Sequence, residues 1–248
     1  MSDRAFVDIR FGHARAPTAA SVAGAHRLLY NEPFSVFIHL TPAGSAPFGF
    51  ARPAQTPAEN MANFYYAVCP FGLETLLADE LQRVGAERLE PGKGGVGFTG
   101  GHETAMAACL HSRLASRVLM RVAEAEYWDS RDIYDLARRT PWEKWFGPDH
   151  TIRVGASANR CPLESIDFAV LRIKDAVCDR FRDLAGRRPD VARHQPDVRI
   201  EAYLTYDRVS FYLDLAGESL FKRGWRLTHG EAPLKENLAA GLLMLSGG

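Results

Sequence analysis

From residue 64 onward the apolar positions switch repeatedly between two periods. Phe64 to Val68 is a short apolar run suited to a strand, while Leu73, Leu76, Leu77, Leu81 and Val84 recur at three- and four-residue intervals and predict one face of a helix. Glu87 to Leu89 and Val96 to Phe98 flank Pro91-Gly92-Lys93-Gly94-Gly95 and predict a hairpin. Thr104 to His111 predicts a second helix, and Val118, Met120 and Val122 alternate as a strand. The order β-α-β-β-α-β is that of a ferredoxin-like split unit.

A second unit follows. Arg131 to Arg139 predicts a short helix ended by Thr140-Pro141. Trp142, Trp145 and Phe146 form an aromatic knot that suits a core better than a platform for bases. Ile152 to Ala156 predicts a strand, and Ile166, Ala169, Val170, Ile173, Val177 and Phe181 mark a long helix of about five turns. Two alternating runs, beginning at Val198 and Val209, predict paired strands joined at Tyr206-Asp207-Arg208. Near the C-terminus, Ala232-Pro233-Leu234-Lys235-Glu236 opens an apolar helix, with Pro233 suited to its first turn. Leu234, Leu238 and Leu242, with Leu243 and Leu245 beside them, make a stripe that needs something to pack on. Leu238, Leu242 and Leu245 are therefore expected to be exposed in this chain.

The first sixty residues differ. Pro17, Pro33, Pro42, Pro47, Pro53 and Pro57 are spread through them among many Ala, Gly and Ser, and only Phe34 to Ile38 looks strand-like. Such a composition does not repay the entropy of ordering a chain. The expectation is a disordered or spurious extension over 1–60, with Met61 as the true start. A first unit over 61–125, a second over 126–228 and a linker helix over 229–248 complete the expected organisation.

Composition narrows the functional classes. The chain is 46% hydrophobic, enough for a core, and its formal net charge is +0. Any nucleic-acid binding must then come from a local basic face. Cys69, Cys109, Cys161 and Cys178 form no CxxC pair and predict reduced thiols in a cytoplasmic protein. No run reaches the ~18 apolar residues of a membrane span, and Asp3, Arg4, Asp8 and Arg10 interrupt any secretory leader.

Four features invite a chemical reading. Gly92-Lys93-Gly94-Gly95-Val96-Gly97 has the glycines of a phosphate loop, but Phe98 stands where Lys-Ser/Thr is needed and a strand follows, so a hairpin turn is predicted. Arg113 and Arg117 lie four apart and would share a face if the helix continued through them. They read equally as a phosphate clamp or as ties to a helix end. Between Arg172 and Arg199 stand eight basic residues against five Asp. The helical part reads as a solvated face with intrahelical pairs, whereas Arg187 and Arg188 on a Gly/Pro loop, with Arg193, suit an RNA backbone. Lys222, Arg223, Trp225 and Arg226 combine cations with a ring, a set that holds a phosphate and stacks on an unpaired base, or fills an interdomain seam. No set of carboxylates, Ser/His/Asp or metal ligands has convincing spacing, so no catalytic or metal residue is assigned.

These segments carry a resemblance. Gly72-Leu73-Glu74 with Leu76-Leu77, Gly94-Gly95-Val96-Gly97-Phe98, Ser112-Arg113-Leu114-Ala115-Ser116-Arg117, Pro196-Asp197-Val198-Arg199-Ile200 and the C-terminal Ala232-Pro233-Leu234-Lys235-Glu236 occur in the order found in THUMP-containing bacterial 23S rRNA guanine-N2 methyltransferases. The chain resembles the region before their catalytic domain over roughly three quarters of its length. The resemblance implies an α+β fold: a ferredoxin-like subdomain, an α/β THUMP domain that binds RNA, and a C-terminal linker helix. It also implies S-adenosylmethionine as cofactor of the parent enzyme, with no cofactor in this chain, because neither the Gly-rich loop nor the (Asp/Asn)-Pro-Pro-aromatic motif occurs here. The expected partners are a 23S rRNA hairpin and a missing C-terminal methyltransferase domain, with no membrane. An assembly module using the leucine stripe without RNA is the alternative, and a THUMP module of a thiouridine synthetase ranks below it.

Overall fold

The computed structural model describes residues 62–224 and 233–247. The elements run β1 (Asn63–Val68), α1 (Glu74–Arg83), β2 (Glu87–Gly92), β3 (Gly95–Gly100), α2 (His102–His111), β4 (Arg117–Glu126), α3 (Ser130–Arg139), a 3₁₀ turn (Trp142–Lys144), β5 (Thr151–Ala158), α4 (Ile166–Ala185), β6 (Asp190–Val191), β7 (Val198–Leu204), β8 (Arg208–Asp214) and α5 (Glu236–Leu245). The first six elements have the expected split order. Their strands lie 2-3-1-4 with antiparallel neighbours. The α+β class and its two-part sequence of domains are as predicted.

The eight strands of the described residues form one sheet, ordered β2-β3-β1-β4-β8-β7-β5-β6. β4 pairs antiparallel with β1 on one side and with β8 on the other. β5 is parallel to both β6 and β7, with α4 supplying the crossover between β5 and its parallel neighbours. The register places Tyr65, Ala67, Val96, Phe98, Val118, Met120, Leu213, Ile200, Ala202 and Ile152 on one face, all buried. Leu77 and Leu81 of α1, Ala105 and Ala108 of α2, and Ala169, Ile173, Val177 and Phe181 of α4 belong to the same core. The opposite face carries the alternate residues, among them Phe64, Tyr66, Arg117, Arg121, Arg153, Arg199, Glu201, Tyr203, Tyr212 and Asp214.

Local chemistry sets the helix ends. Asp129 accepts from the N–H groups of Arg131 at 2.7 Å and Asp132 at 3.2 Å, and the Asp132 carboxylate accepts from Trp128 and Asp129 in return, a reciprocal cap at the start of α3. Ser165 Oγ accepts from the Phe168 N–H at 3.2 Å to open α4, which closes at Gly186 with φ +70°. Trp142 is buried against Phe146 and Phe211, so it is core as anticipated, while Trp145 stays partly exposed.

Three particulars depart from the sequence reading. The C-terminal helix starts at Glu236 with Lys235 as N-cap, so Pro233 precedes it instead of opening its first turn. Its leucine stripe is split: Leu242 and Leu245 are exposed, whereas Leu238 is half-buried on the core. The buried positions are Asn237 and Gly241. Asn237 Nδ2 donates to the Leu114 carbonyl at 3.2 Å, and a Cβ at Gly241 would lie 2.3 Å from Leu73 Cδ1. Close approach of backbone, more than burial of leucine, seats this helix. Finally, β6 forms within a segment whose Gly/Pro/Arg content predicts only a loop. Residues 1–60 lie outside the described residues.

Candidate nucleic-acid interface

Arg113 and Arg117 do not share a helix face, because α2 ends at His111 and Ser112 is already extended. Arg113 Nε lies 3.3 Å from Glu80 Oε1. The buried Glu80 carboxylate also accepts from Ser112 Oγ at 2.8 Å and from the N–H groups of Arg113 and Leu114 at 3.1 and 3.3 Å. Arg117 opens β4 and donates to the fully buried Asp214 carboxylate and to the Gly217 carbonyl at 3.1 Å. Burial raises the Asp214 carboxyl above the ordinary range, against the lowering pull of the Ala216 N–H and of Arg117.

Lys222 and Arg223 are neighbours with different surroundings. Lys222 makes an exposed pair with Glu218 at 3.1 Å. Arg223 turns back and donates to the carbonyls of Cys109 at 2.8 Å, Ser112 at 3.1 Å and Leu110 at 3.2 Å. Those oxygens belong to the end of α2, where carbonyls lack helical partners and a cation meets the negative end of the dipole. Trp225 and Arg226 lie outside the described residues.

Of the loop arginines, Arg187 makes a two-pronged bond to Asp149 at 2.5 and 2.9 Å. Arg188 and Arg193 are exposed and have no carboxylate partner among the described residues. The Arg193 carbonyl accepts from Arg153 Nη1 at 3.4 Å, and Arg153 stands directly opposite Arg199 across the β5–β7 pair. Arg199 Nε is buried with no hydrogen-bond partner. The Arg193 backbone, Arg153 and Arg199 thus lie together at one end of the sheet face that bears no helix among the described residues. Glu201 follows Arg199 by two residues on β7, its carboxylate lying over Gly155, where a Cβ would sit 2.5 Å from Oε2. Burial raises its carboxyl, with Arg117, Arg153 and Arg199 acting in the opposite sense.

This arrangement suits phosphate. Guanidinium groups bind phosphate oxygens through paired N–H donors, and an unpaired buried Nε gains from an incoming acceptor. Sequence reasoning selected Arg193, counted Arg199 only within the basic segment and the Pro196–Ile200 motif, and missed Arg153, which sits in a separate strand as an unremarkable polar alternate. Only the register joins them. Trp128 and Tyr206 were also missed as candidates: they are 80% and 72% exposed, at segments linked by the Tyr127 N–H to Asp207 carbonyl bond of 3.0 Å.

The described residues do not suggest a metal or cofactor centre. No group of three His, Cys, Asp or Glu stands together among them. Burial pushes the Cys69 and Cys109 thiols up to about 12 and about 11, so both are protonated at neutral pH and poor ligands. The β5–α4 loop, Asn159 to Ser165, contains no glycine, unlike a nucleotide-binding strand–helix turn.

Residues 65–119 match the family model of the RlmL ferredoxin-like domain, and residues 127–214 match that of the THUMP domain. The chain therefore carries a ferredoxin-like domain of the RlmL type followed by a THUMP domain. Over these domains it is similar to proteins named ribosomal RNA large subunit methyltransferase K/L. The protein of Methylococcus capsulatus called ribosomal RNA large subunit methyltransferase K/L is 42% identical over 187 residues, which is 75% of this chain and 25% of that protein. The chain spans about a quarter of the length of the curated relatives it matches. Among solved structures, a predicted N6-adenine-specific DNA methylase from Listeria monocytogenes is 26% identical with a TM-score of 0.66, over 74% of this chain and 48% of that one. A putative methyltransferase complexed with SAH, SMU.472, is 26% identical with a TM-score of 0.64 over the same shares.

Proposed function

We propose that this chain is the RNA-docking part of an S-adenosylmethionine-dependent 23S rRNA guanine-N2 methyltransferase of the cytoplasm. It holds an rRNA hairpin so that a guanine, taken out of its stack, meets a catalytic domain that these 248 residues do not contain. The family relationship supports this reading, and the cluster of Arg153, Arg193 and Arg199 is the observation that carries it to particular residues. Methyl transfer is assigned to none of the residues described.

Fluorescence anisotropy of the 248-residue chain with a 23S rRNA hairpin, titrated at several salt concentrations, tests the proposal. Affinity should fall steeply with salt as counterions leave the phosphates, and Arg193→Ala should lower the log–log slope by about 0.7 to 0.9. Binding that ignores salt, or no binding, overturns it. Methyl transfer by this chain alone would overturn the division of labour.

A second reading has one observation in its favour: Leu242, Leu243 and Leu245 of α5 are exposed together. A protein-assembly module using that face would bind its partner without RNA. It would also be insensitive to salt, and Arg193→Ala would leave it unchanged.

A further inference from the structure

The glycines of Gly94-Gly95-Val96-Gly97, which mimic a phosphate loop in sequence, serve a different purpose in the fold. Gly95 and Gly97 of β3 face the side of the sheet away from the described helices, opposite Val68 and Tyr66 of β1. At Gly95 a Cβ would stand 2.4 Å from the Ala67 carbonyl oxygen and 2.7 and 2.8 Å from Cε1 and Cζ of Tyr66, and at Gly97 one would stand 2.9 Å from Cζ of Phe64. Any other residue at these positions would push the rings away. Tyr66 also reaches across β3, since its hydroxyl is 3.5 Å from the Lys93 carbonyl and 4.0 Å from the Cβ position of Gly92. Its ring therefore lies down across the strands instead of standing up from them. The Arg121 guanidinium is 4.0 Å from the centre of the Phe64 ring.

Beside this stack runs an open groove of about 640 Å³, lined in part by Asn63, Phe64, Arg88, Thr99, Arg121 and Glu124. That volume is of the size used for small organic ligands. Arg88 has φ +47° at the irregular register between Glu87 and Glu90, and no acid pairs with it among the described residues. A bulge commonly re-aims a side chain in this way.

The geometry points to a stacking platform for unpaired nucleotides on this face: bases over Tyr66 and over the Phe64–Arg121 stack, phosphates toward Arg88 and the Arg153–Arg193–Arg199 cluster. The inference rests on the RNA reading above and narrows it to single-stranded segments. Tyr66 and Arg199 are three strand spacings apart through β4 and β8, about 14 Å, a distance that a few nucleotides cover. Tyr203, 39% exposed on β7, offers a further ring on the way. The face is aromatic and cationic more than aliphatic, which favours nucleic acid over a protein partner. Its acids include Glu87, Glu90, Glu124, Glu126, Glu201 and Asp214; Glu124 is held by Arg121 and Arg208, Glu126 by Arg208, and Asp214 by Arg117. A flat shelf of rings offers nothing to bases already stacked in a duplex, whereas every unpaired base has a π-face to place on it.

The test compares a 12-nucleotide oligouridine with a blunt 12-base-pair RNA duplex, both binding the 248-residue chain. Tyr66→Ala and Phe64→Ala should weaken oligouridine binding roughly tenfold or more and leave duplex binding within twofold. Tyr66→Leu keeps the bulk over Gly95 and should show the same loss, with circular dichroism confirming the fold. If the variants misfold, photocrosslinking of 5-iodouracil oligonucleotide to the unaltered chain decides, with crosslinks expected at Tyr66 or Phe64. Crosslinks confined to the helical side, or ring variants that bind oligouridine as tightly as the parent, overturn the platform. If Arg193→Ala still weakens binding in that case, the wider RNA reading survives. Absence of salt-dependent binding by the unaltered chain sinks both.

Discussion

Glu80 Oε2 accepts a hydrogen bond from Ser112 Oγ at 2.8 Å, and both side chains are buried. The pair ties the middle of α1 to the link between α2 and β4. It explains why Ser-Arg-Leu-Ala-Ser-Arg is a recognisable segment: the carboxylate takes two backbone N–H groups, a hydroxyl and a guanidinium from that stretch. Glu80→Ala would leave those donors unmet in a buried site and should destabilise the fold by about 3 kcal/mol. Urea unfolding would show the midpoint moving down at unchanged slope.

Lys222 and Arg223 should separate cleanly. Lys222→Ala removes an exposed pair worth at most about 0.5 kcal/mol. Arg223→Ala strips three carbonyls at the end of α2 of their donor and should cost about 1–2 kcal/mol. Thermal midpoints of the two variants, measured side by side, check the difference.

Gly241→Ala should loosen α5 from the rest of the chain. The added Cβ would meet Leu73 Cδ1 at 2.3 Å and Cδ2 at 2.7 Å, and Leu73 is itself buried. Overpacking of this kind costs about 1–3 kcal/mol, while Ala gains about 1 kcal/mol over Gly as a helix former. Hydrogen exchange should show α5 amides losing protection while β1 and β4 keep theirs.

Two sets of carboxylates should give opposite pH dependence. Glu74 is held below its ordinary range chiefly by the Gly94 N–H, and Asp197 by the Thr151 N–H and hydroxyl. Depressed groups stabilise above their unfolded values, near 4, and lose that contribution as pH falls through the folded values. Burial raises Glu201 and Asp214, whose contribution is present below the unfolded value and fades as pH rises through the folded one. Glu74→Gln should therefore weaken the protein at pH 7 and match it near pH 3. Glu201→Gln should strengthen it at pH 7 and lose the advantage near pH 3. Denaturant midpoints at the two pH values give both signs.

Apart from the two-residue β6, periodicity made the strands and helices of residues 62–224 legible, because strands and helices each bury one face and the apolar spacing records which. Residues that matter through register were hidden. Arg153 and Arg199 are far apart in sequence and meet only because β5 and β7 are parallel neighbours. Arg113 and Arg117 look like a helical pair because four-residue spacing is suggestive, but the spacing does not reveal that the helix stops at His111. Gly95 and Gly97 announce a turn in sequence, while their contact with Phe64 and Tyr66 depends on pairing across strands. The leucines of α5 signal a buried stripe, yet Asn237 and Gly241 make the closest contacts, since polarity and smallness are not what a hydrophobic pattern records.

β4 is a member of both halves at once, bonded to β1 along one edge and to β8 along the other. Among the described residues no linker separates the two halves, so the sheet works as a ruler. The Gly94 turn near one margin and the Arg193 loop near the other are held apart by shared backbone hydrogen bonds across the breadth of eight strands, about 30 Å. An RNA touching both margins must match that separation, and a change in shape to accommodate it has to come from the RNA.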